Sequence, residues 1–209
     1  NKRTRLIFLC SPNNPSGNLI AKQDIEKVLQ HVSCYVLVDE AYIEYAKTGS
    51  SALNLFKKYQ NLIVTRTFSK VYGLANLRIG YGVMSEDLVK DYEKTNLPFF
   101  TSSLASKAAR VAIEDEKYAQ KIIQLNREGR NYIEQNLKFK VYPSQSNFIL
   151  VDASPLKAKD IVFELQKQGI ILRNASSFGP HMDSYVRISV GTMAQNKKMV
   201  RALNVFSPK

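Results

Sequence analysis

The chain has 209 residues, 44% hydrophobic and 23% charged, a balance that excludes a disordered segment and leaves room for one large domain or two modest ones. Its 30 Lys+Arg against 18 Asp+Glu give a formal charge of +12, but the basic residues are scattered (KKYQ, KFK, KAKD, NKK) rather than gathered with aromatics into a strip, so the charge is expected on a solvated surface and no nucleic-acid partner is expected. No apolar run approaches the ~20 residues that span a bilayer, so no membrane partner is expected.

In chain order, LIFLC (6–10) reads as a buried strand and AKQDIEKVLQHV (21–32) as an amphipathic helix with Ile25, Val28, Leu29 and Val32 on one face. CYVLVDEAY (34–42) is a second buried strand, breaking into charge at Asp39. Residues 52–59 are expected to be helical, NLIVTRTF (61–68) a third strand and LRIGYGVM (77–84) a fourth. Near-continuous apolar strands between helices indicate a mostly parallel sheet covered on both faces. NLPFFTSS then leads into one long helical stretch, 103–137. KFKVYPS and NFILVDA are strands joined by a Pro-Ser turn, and LKAKDIVFELQKQG is a helix closed by Gly169. ILRN and YVRISVG are short strands, and AQNKKMVRALNVF is a final helix. The fold class is therefore α/β, a parallel-sheet module followed by a smaller α+β one. The expected divisions are a large domain over 1–100, a connecting helical region over 101–136 and a small domain over 137–209.

The chain begins at Asn1 and enters a strand almost at once, as expected of part of a longer protein. Cys10 and Cys34 form no C-x-x-C pair and are expected to be reduced, buried thiols of a cytoplasmic protein. His31 and His181 supply no convincing general base, so no metal site and no Ser-His-Asp site is expected.

In open parallel sheets, ligands bind beyond the carboxyl ends of the strands. Three polar clusters fall there: PNNPSG (12–17), DEAY (39–42) and TFSK (67–70). Pro12 and Pro15 restrain the first loop and Gly17 releases it, so an Asn amide there is held in place. Asn14-Pro15 is the candidate for a cis bond. Asp39 at a sheet rim calls for a cationic partner, and Tyr42 can share its crevice. Thr67, Ser69 and Arg78 offer two hydroxyls and a guanidinium, which suit a phosphate, beside the amine of Lys70. No G-x-x-x-x-G-K-[ST] loop is present, and the glycines of GLANLRIGYG do not form a dinucleotide fingerprint. A phosphate cage, an amine, a carboxylate and a phenol together match what pyridoxal phosphate requires. Singly, each residue also fits a plainer role: a cap for Asp39, a rim aromatic for Tyr42, a solvated side chain for Lys70, and surface positions for Arg78, Arg173 and Arg187. Their ordered spacing is what joins them.

The ordered set PNNPSG, VDEAYIEY and TRTFSKVYGLANLRIGY closely resembles the fold-type I pyridoxal-phosphate aminotransferases, and within them is most similar to the histidinol-phosphate branch; the likeness extends over essentially the whole chain. The resemblance implies a Schiff base between cofactor and Lys70, which also moves the proton, and pairing of Asp39 with the pyridine nitrogen. It implies that Asn14 and Tyr42 bond the ring oxygen, and that Thr67, Ser69 and Arg78 hold the phosphate. Arg187, assisted by Arg173, would grip the anionic end of the substrate near Asn14. The implied reaction interconverts histidinol phosphate plus 2-oxoglutarate and imidazole-acetol phosphate plus glutamate, in histidine biosynthesis, by a cytoplasmic homodimer. The family also carries a segment before PNNPSG that supplies a phosphate loop, an aromatic stacked on the ring and a tyrosine offered across the dimer; this sequence contains none of it. An aromatic aminotransferase and a threonine-phosphate decarboxylase would keep the same cofactor residues, and a basic nucleic-acid-binding module is the non-enzyme alternative.

Overall fold

A computed structural model describes residues 1–207 of the chain. They divide into two compact units, one made of residues 1–13 and 19–121, the other of 14–18 and 122–209. The division falls inside a helix and assigns the end of the PNNPSG loop to the second unit.

The first unit is built on a four-stranded sheet, β1 (Leu6–Cys10), β2 (Tyr35–Asp39), β3 (Leu62–Thr67) and β4 (Gly80–Val83), in the order β1-β2-β3-β4. β1, β2 and β3 are parallel; β1 and β2 end level, since Cys10 pairs with Asp39, and β3 runs two residues further, since Asp39 pairs with Thr65 and β3 ends at Thr67. β4 runs antiparallel to β3. No crossover helix separates those two strands; the intervening loop closes as a hairpin, with the Phe68 N–H donating to the Ile79 carbonyl at 3.1 Å. Helix α1 (Lys22–His31) places Ile25 and Leu29 against Val36, Val38, Leu62 and Val64 on one face of the sheet, together with Ala52 and Leu55. Residues 52–55 form only a single 3-10 turn, entered through the Ser51 hydroxyl, which accepts from the Leu53 N–H at 3.0 Å.

The other face of this sheet departs from the expectation of cover on both sides. Phe8 is 71% exposed there, and Leu37, Ile63, Tyr81, Met84 and Leu88 line a groove of about 900 Å³. Helix α2 (Glu86–Thr95) borders that groove and buries none of its own side chains fully. Sequence periodicity does not reveal α2. The single long helix expected after residue 102 is two, α3 (Ser103–Glu114) and α4 (Glu116–Asn136). Asp115 leaves helical geometry between them, and its Oδ1 caps the new start by accepting from the Tyr118 N–H at 3.0 Å.

The second unit is an antiparallel sheet of β5 (Lys140–Tyr142), β6 (Phe148–Asp152), β7 (Arg173–Asn174) and β8 (Tyr185–Ser189), ordered β5-β6-β8-β7. Its core joins Ile133 of α4 to Ile149, Val151, Val186 and Ile188 of the sheet, and to Ile161 and Leu165 of α5 (Ala158–Gln166) and Leu203 of α6 (Met193–Asn204). Gly169 ends α5 in left-handed geometry (φ +71°): its N–H donates to the Gln166 carbonyl and the Ile170 N–H to the Leu165 carbonyl, both at 3.0 Å. A capping box of Thr192 and Gln195 starts α6. Gly129 lets α4 approach that region closely, because a Cβ there would lie 2.5 Å from Val190 Cγ1 and 2.6 Å from Asn196 Nδ2.

Candidate active site

Side chains alternate along a strand, so the last residues of β2 and β3 point to opposite faces in turn. Asp39 closes β2 half-buried, and its Oδ1 accepts from the Ala41 N–H at 3.1 Å and the Thr65 hydroxyl at 3.4 Å. Its carbonyl accepts from the Ser11 N–H at 3.0 Å, which ties β2 to the first residue of the loop after β1. Tyr42 is buried, and the Lys70 Nζ stands 5.1 Å from the centre of its ring. The amine and the phenol grouped from the sequence are therefore neighbours in space.

Thr67 and Ser69 form a tight turn at the end of β3: the Thr67 hydroxyl accepts from the Ser69 N–H at 3.0 Å. Lys70 is held in the next turn, its carbonyl accepting from Gly73 N–H at 3.0 Å, and Gly73 has a positive φ of +70° that glycine adopts without strain. Arg78 is exposed in left-handed geometry (φ 51°), and its NH1 donates to its neighbour's carbonyl, Ala75 O, at 2.9 Å.

The remaining candidates belong to the second unit. The Asn14-Pro15 bond is cis, as is Ser11-Pro12 in the first unit. Asn14 Oδ1 accepts from Arg187 NH1 at 2.6 Å, which leaves the amide N–H edge of Asn14 facing elsewhere. The Arg187 guanidinium lies 4.9 Å from the centre of the Phe148 ring, and its Nε is buried without a hydrogen-bond partner. Arg173 is exposed and sits directly opposite Arg187 across the β7–β8 pairing. Its NH2 donates to the Ser177 hydroxyl at 3.1 Å. An unpartnered buried donor such as Arg187 Nε costs about 1–3 kcal/mol.

The loop carrying Asn14 is docked within the same unit. Gly17 (φ +74°) packs against Ser144, its carbonyl accepts from the Gln145 N–H at 2.7 Å, and the buried Arg130 donates to the carbonyls of Ser144 at 2.7 Å and Ser146 at 3.1 Å.

A second set of polar residues escaped the reading of motifs. Glu40 is 1% exposed, and its carboxylate accepts from the Arg66 Nε at 3.0 Å, the Ser51 hydroxyl at 2.8 Å and the Ala52 N–H at 2.6 Å. Arg66 NH2 lies 2.9 Å from the same carboxylate oxygen and donates to the Ser51 hydroxyl at 2.8 Å. Burial alone would lower the Arg66 pKa; Glu40 and Tyr81 reverse this and hold it above its ordinary value. Glu44 is the converse case. Burial raises its pKa, which its backbone hydrogen bond and Arg66 oppose and Glu40 reinforces, and its Oε2 is buried without a partner. The available signal was strand alternation, which sends Glu40 and Arg66 away from Asp39 and Thr67.

The donor set fits pyridoxal phosphate chemically. One unit carries an amine over a phenol, a carboxylate at a strand end and two hydroxyls in a turn, and the other an oriented amide with an unsatisfied arginine. Among the described residues no cluster of His, Cys, Asp and Glu could hold a metal ion, and no helix is long and apolar enough to cross a membrane.

Residues 1–203 match the family described as aminotransferase class I and II. A histidinol-phosphate aminotransferase of Methanosarcina mazei is 51% identical over 203 residues, covering 97% of this chain and 55% of its own length. The chain thus spans about half the length of the curated relatives it matches. The structure also resembles the histidinol-phosphate aminotransferase of Clostridium acetobutylicum (TM-score 0.91, 24% identity, 98% of this chain and 64% of that one). A second solved likeness is the Sinorhizobium meliloti histidinol-phosphate aminotransferase in complex with pyridoxal-5'-phosphate (TM-score 0.88, 27% identity, 97% of this chain and 57% of that one).

Proposed function

The chain belongs to the aminotransferase class I and II family, and from that premise we propose that it forms part of a pyridoxal-phosphate-dependent histidinol-phosphate transaminase. The observation that carries this reading is the Lys70 amine over the Tyr42 ring, on the loop that follows β3, one strand from Asp39. The proposed reaction transfers an amino group between histidinol phosphate and 2-oxoglutarate, giving imidazole-acetol phosphate and glutamate.

When bound, pyridoxal phosphate supplies an electron sink for the pair left on the substrate carbon as its proton departs. Lys70 Nζ would take up that proton as general base and give it back as general acid. Asp39 would stand at the pyridine nitrogen, where a carboxylate favours the protonated ring. Asn14, whose oxygen is engaged by Arg187, would offer its N–H to the ring oxygen, and the Tyr42 hydroxyl would be a second donor for that oxygen. Thr67, Ser69 and Arg78 hold the cofactor phosphate. Arg187, with Arg173, receives the substrate's phosphate or carboxylate, and the buried unpartnered Nε of Arg187 supports this role. Residues 1–100 would be the remainder of a large cofactor domain, 101–136 a connector and 137–209 a small domain, in a cytoplasmic homodimer.

The test is borohydride trapping of pyridoxal phosphate, with peptide mapping of the modified lysine, on the protein expressed from its complete coding sequence. The expected label is on Lys70 and disappears in Lys70→Ala. A label spread over surface lysines in both proteins would reject the reading. Turnover with histidinol phosphate, aromatic amino acids and threonine phosphate then separates the substrates, because the cofactor residues are common to all three activities.

A further inference from the structure

We propose that the buried Glu40–Arg66 pair is a positioning device for the cofactor site, fixing the separation between Asp39 and the Thr67–Lys70 turn. The proposal rests on the cofactor reading above. Each member of the pair is the immediate chain neighbour of a proposed cofactor ligand: Glu40 follows Asp39, and Arg66 precedes Thr67. The two strands are already joined there by the Glu40 N–H donating to the Thr65 carbonyl at 2.9 Å. A backbone bond alone sets spacing but leaves twist free at strand ends. The Arg66 fork removes that freedom, with Nε at 3.0 Å and NH2 at 2.9 Å from Glu40 Oε2. Ser51 closes the triangle, donating to Glu40 and accepting from Arg66, and its hydroxyl also accepts from the Leu53 N–H. The network is thereby anchored to the 3-10 turn behind the sheet.

Stability alone is a poor reason to keep such a pair. Replacing a buried ion pair by apolar side chains of similar volume is often neutral or stabilising. What apolar replacements lose is directional constraint, and a cofactor site that must aim a carboxylate and an amine at opposite ends of one ring needs it.

The experiment compares four proteins expressed from the complete coding sequence: wild type, Arg66→Lys, the double variant Glu40→Leu/Arg66→Met, and Lys70→Ala. Three quantities are read from each: the thermal midpoint without cofactor, the Kd for pyridoxal phosphate, and the pH midpoint of the bound cofactor's absorbance band. The double variant, which also takes the acceptor from the Ala52 N–H and the Ser51 hydroxyl, is expected to stay folded with a somewhat lowered melting temperature yet bind the cofactor about tenfold more weakly at temperatures where it is fully folded, with a displaced pH midpoint. Arg66→Lys, which keeps the charge but not the fork, is expected to fall between the two. A double variant that melts, binds and titrates like wild type overturns the proposal, and so does a loss of affinity that merely follows loss of folding in every variant. Failure of wild type to label at Lys70 instead overturns the cofactor reading, and this proposal with it.

Discussion

Glu44 is a carboxyl group two residues beyond Tyr42, in the 3-10 turn that Tyr42 precedes, with a buried oxygen that nothing satisfies. Because burial raises its pKa in the folded state, the folded protein binds that proton more tightly than the unfolded chain does. The resulting stability is complete below the ordinary carboxylate range and is lost as pH rises through the raised value. Glu44→Gln removes the charge while keeping the shape. The variant is expected to melt with wild type at pH 4 and above it at pH 8. Equal differences at both pH values in scanning calorimetry would show that Glu44 does not titrate in the folded state over this range. At this scale the motifs were informative about residue types and less so about neighbours. Lys70 and Tyr42 were grouped as the amine and the phenol of one donor set, and they are neighbours in space. The bond between Asn14 and Arg187 spans most of the chain, and spacing carries no information about it.

Among the elements, the β3–β4 hairpin is the tightest joint near the proposed phosphate turn. A Cβ on Gly80 would stand 2.5 Å from the Arg66 carbonyl and 3.4 Å from Thr67 Cα, both backbone atoms that cannot swing aside. At Gly82 the nearest obstacle is the flexible end of Met84, at 3.1 Å. Gly80→Ala is therefore expected to cost about 1–3 kcal/mol in urea unfolding and Gly82→Ala markedly less; equal costs would mean that β4 can peel away from β3 freely. Strands with continuous apolar runs were legible from the runs themselves, as in LIFLC and YVLVD, but the runs overstated burial: only Val36 and Val38 of these ten residues are buried. Helix α2 was not, since it buries none of its side chains fully and its apolar residues are few. Its start was nevertheless signalled by Ser85 followed by Glu86 and Asp87, with Lys94 near its end. The break at Asp115 was hidden for the opposite reason, because the apolar spacing continues through it and only a capping side chain interrupts the helix. The antiparallel direction of β4 depends on what the loop before it lacks, a crossover helix, and apolar pattern alone does not report that.

At the scale of the molecule, two modules were legible from the change in texture after the parallel strands. That residues 14–18 join the second unit was not, because it depends on Gly17 lying against Ser144 and on the bond from Gln145. The sheet face carrying Phe8 and the groove beside α2 has a colloidal consequence. A parallel strand face with exposed aromatics attracts its like, and in this chain the opposing force is the charge of +12. The 209-residue chain is therefore expected to bind a hydrophobic dye such as ANS and to scatter light increasingly as salt is added, and Phe8→Asp should lower both signals. Dye binding unchanged by Phe8→Asp would place the sticky surface elsewhere. Alkaline buffers carry the same risk as salt: as lysines lose their protons the repulsion fades while the apolar face stays, so a preparation that is clear at pH 7 should cloud as the pH is raised toward the lysine range.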